Sequence, residues 1–213
     1  MDIEMPLNQY IKQVGSEKRT PGGGSVAAIC GSLGCALTSM VGNLTFKKEA
    51  FQQLNEEQKQ VFQHSFEELH RLIKQFNHLA KEDTYAFEGV LKAMKLPKNT
   101  EEEKEKRNQD MEKATKDALK TPLNTAKLAL QALELQEVFI KWGNIDTMSD
   151  VGVGIWAAYG GLEGAVITVK INLFQLSDEE YKQKIIEECE DIVDQGRKLR
   201  DRHLEEVYSK LDQ

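Results

Sequence analysis

Between residues 61 and 94 apolar side chains return every three or four positions, at Phe62, Phe66, Leu69, Ile73, Phe76, Ala80, Phe87, Val90 and Met94. That period belongs to one face of a helix, not to the alternation of a strand. One position on the seam breaks the pattern: Asp83 lies between Ala80 and Phe87. Leu96-Pro97 closes the run. Leu7, Tyr10, Ile11 and Val14 repeat the pattern over a shorter stretch, predicting a first helix followed by a loop over residues 15–21. Thr100 heads Thr-Glu-Glu-Glu, an N-cap with acids in the first turn, and predicts a charged helix to about Lys120 that Pro122 kinks or restarts. Residues 123–140 are apolar on most of their circumference, which predicts a central position, and Gly143-Asn144 ends them. A capping box at residues 177–180 predicts the last helix, whose apolar face holds Ile185, Ile186, Cys189, Ile192, Val193, Leu204, Val207 and Leu211.

Two further segments have another character. Residues 20–45 open with Gly22, Gly23 and Gly24 after Pro21 and carry no charge, and a helix is predicted from about Ser25. Residues 149–176 contain Gly152, Gly154, Gly160, Gly161 and Gly164. Each glycine inside a helix costs about 0.5–1 kcal/mol relative to alanine, so close packing or a ligand against the backbone must compensate. The expected fold is all-α: an up-and-down helical bundle in one domain over residues 1–213. Its two small-residue helices pack closely, Ala27, Gly31, Gly34 and Gly42 meeting the glycines between 152 and 164. No strand or repeat is predicted.

A net charge of −7 removes the electrostatic drive for sequence-independent phosphate binding, so no nucleic-acid partner is expected. Three cysteines without CxxC spacing, and Asp2 and Glu4 where a targeting segment would be basic, point to a cytoplasmic protein. Residues 20–46 are long enough to cross a bilayer. Their glycines and hydroxyls favour a helix buried in protein, and no membrane partner is expected.

Candidate chemistry lies where charge or glycine interrupts the pattern. Residues 21–25 can open a helix N-terminus onto an anion or a carbonyl oxygen, or make a tight turn capped by Ser25. Asp83, if held on the seam, has its carboxyl pKa raised by desolvation and becomes a usable acid or base; a seam that rotates it into solvent is the competing reading. Asp150 begins the second small-residue helix, where it either faces a cation or water or simply caps, as Ser149 also can. Glu163 is a third acid, with an ion pair to another helix as its plainer role. His64, His70, His78 and His203 form no HExxH and have no cysteine partner, so no metal site is expected.

These segments together resemble the cyclodeaminase/cyclohydrolase family of tetrahydrofolate enzymes, which includes the cyclodeaminase half of formiminotransferase-cyclodeaminase and stand-alone methenyltetrahydrofolate cyclohydrolases. The resemblance is carried in order by "PGGGSVAAICGSLGCALTSMVGNLT", "KKEAF", "DTYAFEGVLKAMKLPK", "ATKDALKTPL", "GNIDTMSDVGV" and "VKINL". Thr168, where many members have Asn, and Gly154, where Ala is common, depart from it. The resemblance implies a helical subunit, usually a homodimer, acting on the one-carbon bridge of a tetrahydrofolate derivative with no metal or nucleotide cofactor. It implies Asp83 as proton carrier and Asp150 as its electrostatic partner or water positioner. Gly22, Gly23, Gly24, Ser25, Lys48 and Ser149 are the implied substrate contacts, with Lys18, Arg19 and Lys47 as further partners for an anionic glutamate tail. Hydrolysis of 5,10-methenyltetrahydrofolate to 10-formyltetrahydrofolate is the expected activity. Formiminotetrahydrofolate cyclodeamination with release of ammonia is the alternative, and a non-catalytic dimeric ligand-binding scaffold is the alternative of another class.

Overall fold

A computed structural model describes residues 5–212. The acidic start at Asp2 and both extremities of the expected 1–213 unit therefore lie outside the described residues. Among the described residues the regular structure is helical: α1 Leu7–Val14, α2 Gly23–Thr45, α3 Glu49–Gln52, α4 Glu56–Met94, α5 Glu101–Trp142, α6 Met148–Leu173 and α7 Glu179–Leu211, with a 3-10 turn Ile145–Thr147 before α6.

Local capping sets most boundaries. Asn55 and Gln58 form a reciprocal box at the start of α4, and Thr100 and Glu103 form one at the start of α5. At α7 the cap is Asp178, which accepts from the Tyr181 N–H at 3.0 Å, while the Ser177 hydroxyl is taken by Glu112. Two expectations change. Ser25 is not a cap, since α2 already begins at Gly23 with Gly22 in the N-cap position. Pro122 does not restart its helix: α5 runs through it for 42 residues. Leu119, Thr121, Pro122, Leu123, Thr125 and Ala126 are all buried there, and that packing outweighs the roughly 3 kcal/mol a helix-interior proline costs.

The bundle is up-and-down, with α2 and α6 antiparallel at its centre. A Cβ on Gly34 would lie 2.7 Å from the Gly154 carbonyl oxygen, and one on Gly161 would lie 2.8 Å from the Ala27 carbonyl oxygen, so at these crossings backbone touches backbone. Not every small residue serves that pair. Gly31 and Gly42 turn instead to Phe76 and Phe66 of α4, and Gly152 to Val207 of α7. Small residues all round α2 let three neighbours approach it.

The contrast is testable. Gly161→Ala should lower thermal stability by about 1–2 kcal/mol, overpacking outweighing the gain in helix propensity. Gly89→Ala, where no atom lies within 4 Å of the new methyl, should raise it by about 0.5–1 kcal/mol. Calorimetry on both variants checks the opposite signs.

α2 and the segment containing α6 are each long and apolar enough to cross a membrane by length and composition, but 61% and 56% of their most apolar windows are buried in the bundle. That burial is what core helices show.

Candidate active site

Asp83 lies on α4 opposite the first turn of α2. Its Oδ2 accepts the Ser25 N–H at 3.0 Å, and a Cβ on Gly24 would fall 2.0 Å from its Oδ1. Glycine at position 24 is therefore a steric requirement: any side chain there would expel the carboxylate. Two influences oppose each other. Burial raises the Asp83 carboxyl above the ordinary carboxylate range, and the Ser25 N–H pulls it back without cancelling the rise. The solvent-facing reading of Asp83 does not hold.

The carboxylate borders a cavity of about 150 Å³. Arg19, Thr20, Gly22, Gly23 and Gly24 form one wall, Ala86, Phe87 and Ala118 another, and Thr168, Ile171 and Asn172 of α6 a third. The Thr168 hydroxyl donates to the Gly164 carbonyl, and the Asn172 amide donates to the Thr168 carbonyl, which fixes both side chains. A pocket that encloses a drug-sized ligand usually measures about 300–1,000 Å³. This one admits the reacting end of such a ligand and leaves the rest outside.

The other nominated residues lie elsewhere. Asp150 is in the first turn of α6, whereas the cavity touches that helix at Thr168 and beyond. Eighteen residues of helix separate the two positions by about 27 Å. Within one chain, the expected juxtaposition of Asp83 and Asp150 is not made. Ser149 is exposed beside Asp150. Lys48 follows the far end of α2 and pairs with Asp146 at 2.9 Å, holding the Asp146 carboxyl below its usual range. Lys48, Asp146, Ser149 and Asp150 thus gather at one end of the bundle, and Gly22, Gly23, Gly24, Ser25 and Asp83 at the other. Of the basic residues expected near a tail, Arg19 lines the cavity. Glu163 takes its plainer role, 4.0 Å from Arg197 of α7.

Sequence reasoning passed over Tyr10 and Asn172 as site residues. Asn172 stood inside the quoted "VKINL" segment, but nothing local marked its direction. The Tyr10 hydroxyl lies 3.3 Å from Ser25 Oγ. Among the described residues no three His, Cys, Asp or Glu side chains group as metal ligands. His203 is a core histidine that burial pushes down to a pKa of about 4. A larger hollow of about 470 Å³ between α4 and α5 is bordered by Lys74, His78 and Lys127 but offers no carboxylate or helix terminus among its lining residues.

Comparison with known proteins agrees with this architecture. The sequence profile described as Formiminotransferase-cyclodeaminase matches residues 6–191. The chain is 34% identical over 206 residues to the methenyltetrahydrofolate cyclohydrolase of Methylorubrum extorquens, covering 97% of each. It is 33% identical over 182 residues to the formimidoyltransferase-cyclodeaminase of Rattus norvegicus, a match over 85% of this chain and 33% of that protein. It therefore spans about a third of the length of that larger relative. The crystal structure of formiminotetrahydrofolate cyclodeaminase from Thermotoga maritima superposes with a TM-score of 0.86 at 26% identity, covering 98% of both chains. Profile, sequence and fold agree across nearly the whole chain, and it belongs to the formiminotransferase-cyclodeaminase family.

Proposed function

We propose that this protein hydrolyses 5,10-methenyltetrahydrofolate to 10-formyltetrahydrofolate, with Asp83 carrying the protons. The observation that supports this most is a partly desolvated carboxylate, raised in pKa and held at the glycine-lined start of α2 beside a cavity. In the proposed reaction Asp83 takes a proton from water as the oxygen adds to the cationic methenyl carbon. The tetrahedral carbon then releases N5, which receives that proton, and the hydroxyl proton leaves as the formyl C=O forms. One proton is released to solvent overall. First-turn N–H groups of α2 offer a polar edge to the oxygen, and Arg19 an anion contact at the rim. The steps as written use neither a metal nor a nucleotide, and a cytosolic setting belongs to the same proposal.

The names of the Thermotoga and rat relatives favour a second reading, attack of N10 on a formimino carbon with loss of ammonia. It needs the same proton carrier. Loss of the methenyl absorbance on adding purified protein, with no ammonia from the formimino substrate, would support the hydrolase. Ammonia release would support the cyclodeaminase, and failure of both assays would remove the proposal.

The proposed working unit is a homodimer formed across the outward faces of α2 and α6. Leu33, Met40, Leu44, Val153, Trp156, Ile167 and Ile171 are exposed on these helices, and Phe174, the cap after α6, is exposed by 80%. A second copy is favoured as the occupant by the divided site. A two-fold axis crossing both antiparallel helices near their midpoints would bring the Asp150 end of one protomer against the Asp83 end of the other. It would also supply the wall that the small cavity lacks.

A further inference from the structure

We infer that Tyr10 is a positioning residue of the reaction, acting on Asp83 through Ser25. The inference rests on reading the Asp83 cavity as the place of chemistry.

α1 lies against the bundle in an unexpected sense. Its apolar stripe of Leu7, Ile11 and Val14 is exposed, by 70%, 62% and 38%, and of its eight residues just Tyr10 and Gln13 are partly buried. The aromatic ring turns inward, and its hydroxyl shares a hydrogen bond with Ser25 at 3.3 Å. Ser25 is completely buried, and its N–H is the group that donates to Asp83 Oδ2 at 3.0 Å. One residue in the first turn of α2 is thereby gripped from α1 through its side chain and grips α4 through its backbone.

The geometry gives the phenol a specific task. A first-turn N–H has no partner within its own helix, so its direction depends on how that turn is held. Tyr10 fixes the Ser25 side chain, which steadies the turn and keeps the N–H aimed at one carboxylate oxygen while the other lies over Gly24. Burial raises the Tyr10 hydroxyl above its ordinary value, more than the Ser25 hydrogen bond lowers it, so it remains a neutral phenol while Asp83 titrates. A phenylalanine would fill the same space and lose this link.

Three full-length variants test it by steady-state methenyl hydrolysis: Tyr10→Phe, Ser25→Ala and the double variant. Tyr10→Phe should melt no more than a few degrees below the wild type, as the loss of one hydrogen bond requires, and keep KM while kcat falls about five- to tenfold. Its acid limb should move to higher pH, because a less well aimed donor stabilises the Asp83 carboxylate less. Adding Tyr10→Phe to Ser25→Ala should cost nothing more, since the two act in series. Wild-type kcat and an unshifted limb in Tyr10→Phe would overturn the inference, as would independent, multiplying effects in the double variant. Either result leaves the site reading intact provided the wild type turns over; an inactive wild type would remove both.

Discussion

Replacing Asp83 by asparagine is expected to lower kcat/KM for methenyltetrahydrofolate hydrolysis by at least about a hundredfold, within the 10²–10⁴ range that a positioned acid–base group supplies. The amide can still accept the Ser25 N–H, so the first turn of α2 and the helical circular dichroism should be preserved. What disappears is the group proposed to carry the proton. Stability should move the other way. Asp83 has a folded pKa above its unfolded value, so its favourable contribution is fully present below the unfolded pKa and is lost as pH rises through the folded one. At neutral pH the wild type holds a partly buried charge that the variant does not. Asp83→Asn should therefore melt above the wild type at pH 7, and the gap should shrink as pH falls toward 4. Melting curves across that interval, run beside the kinetics, separate a lost proton carrier from a damaged fold. Near-wild-type turnover would remove Asp83 from its proposed role.

The features legible in the sequence are those decided within a few residues of chain. The α4 seam and the Thr100 cap follow from i, i+3 and i, i+4 relations, and the structure keeps both. Asp83 stood out because a carboxylate interrupted an apolar seam, and the seam's direction was enough to turn it inward. Longer relations were not legible. Whether Gly31 meets a backbone or Phe76 depends on which neighbour lies at that height, and a helix that is small on every side does not say. The period places Tyr10 on the apolar face of α1 with Leu7 and Ile11, yet in the folded chain its hydroxyl reaches Ser25 while Leu7 and Ile11 are exposed, and how α1 lies against the bundle is not a local property. The separation of Asp83 from Asp150 did have a signal. A carboxylate at the first turn of a helix of more than twenty residues cannot share a small cavity with that helix's last turn, and "VKINL" lay near the last turn. Resemblance gathered the site residues by motif, while helix length divides them between two ends of one chain.

That division makes mixed dimers the most informative experiment. Asp83→Asn and Asp150→Asn are each expected to be nearly inactive alone, but unfolding them together in equal amounts and refolding them should restore about a quarter of wild-type activity if the site is shared across a two-fold axis. Random pairing makes about half of the dimers mixed. In each of these, one site combines both substitutions and the other combines an intact Asp83 with an intact Asp150 from the opposite protomer. Sedimentation of the mixture should give one dimeric species, and recovered activity cannot come from reassembled wild type because no chain in the mixture carries both carboxylates. If Asp150 served the Asp83 of its own chain, every site in the mixture would carry a substitution and no activity would return. That outcome is disfavoured by the roughly 27 Å of helix between Asp150 and the cavity. Full activity in Asp150→Asn alone would instead show that Asp150 belongs to helix capping, and the reaction would then rest on Asp83 and the glycine end of α2. Loss of the dimer on replacing Trp156 or Phe174 by a charged residue, with activity lost in step, would tie the exposed face to the same shared site.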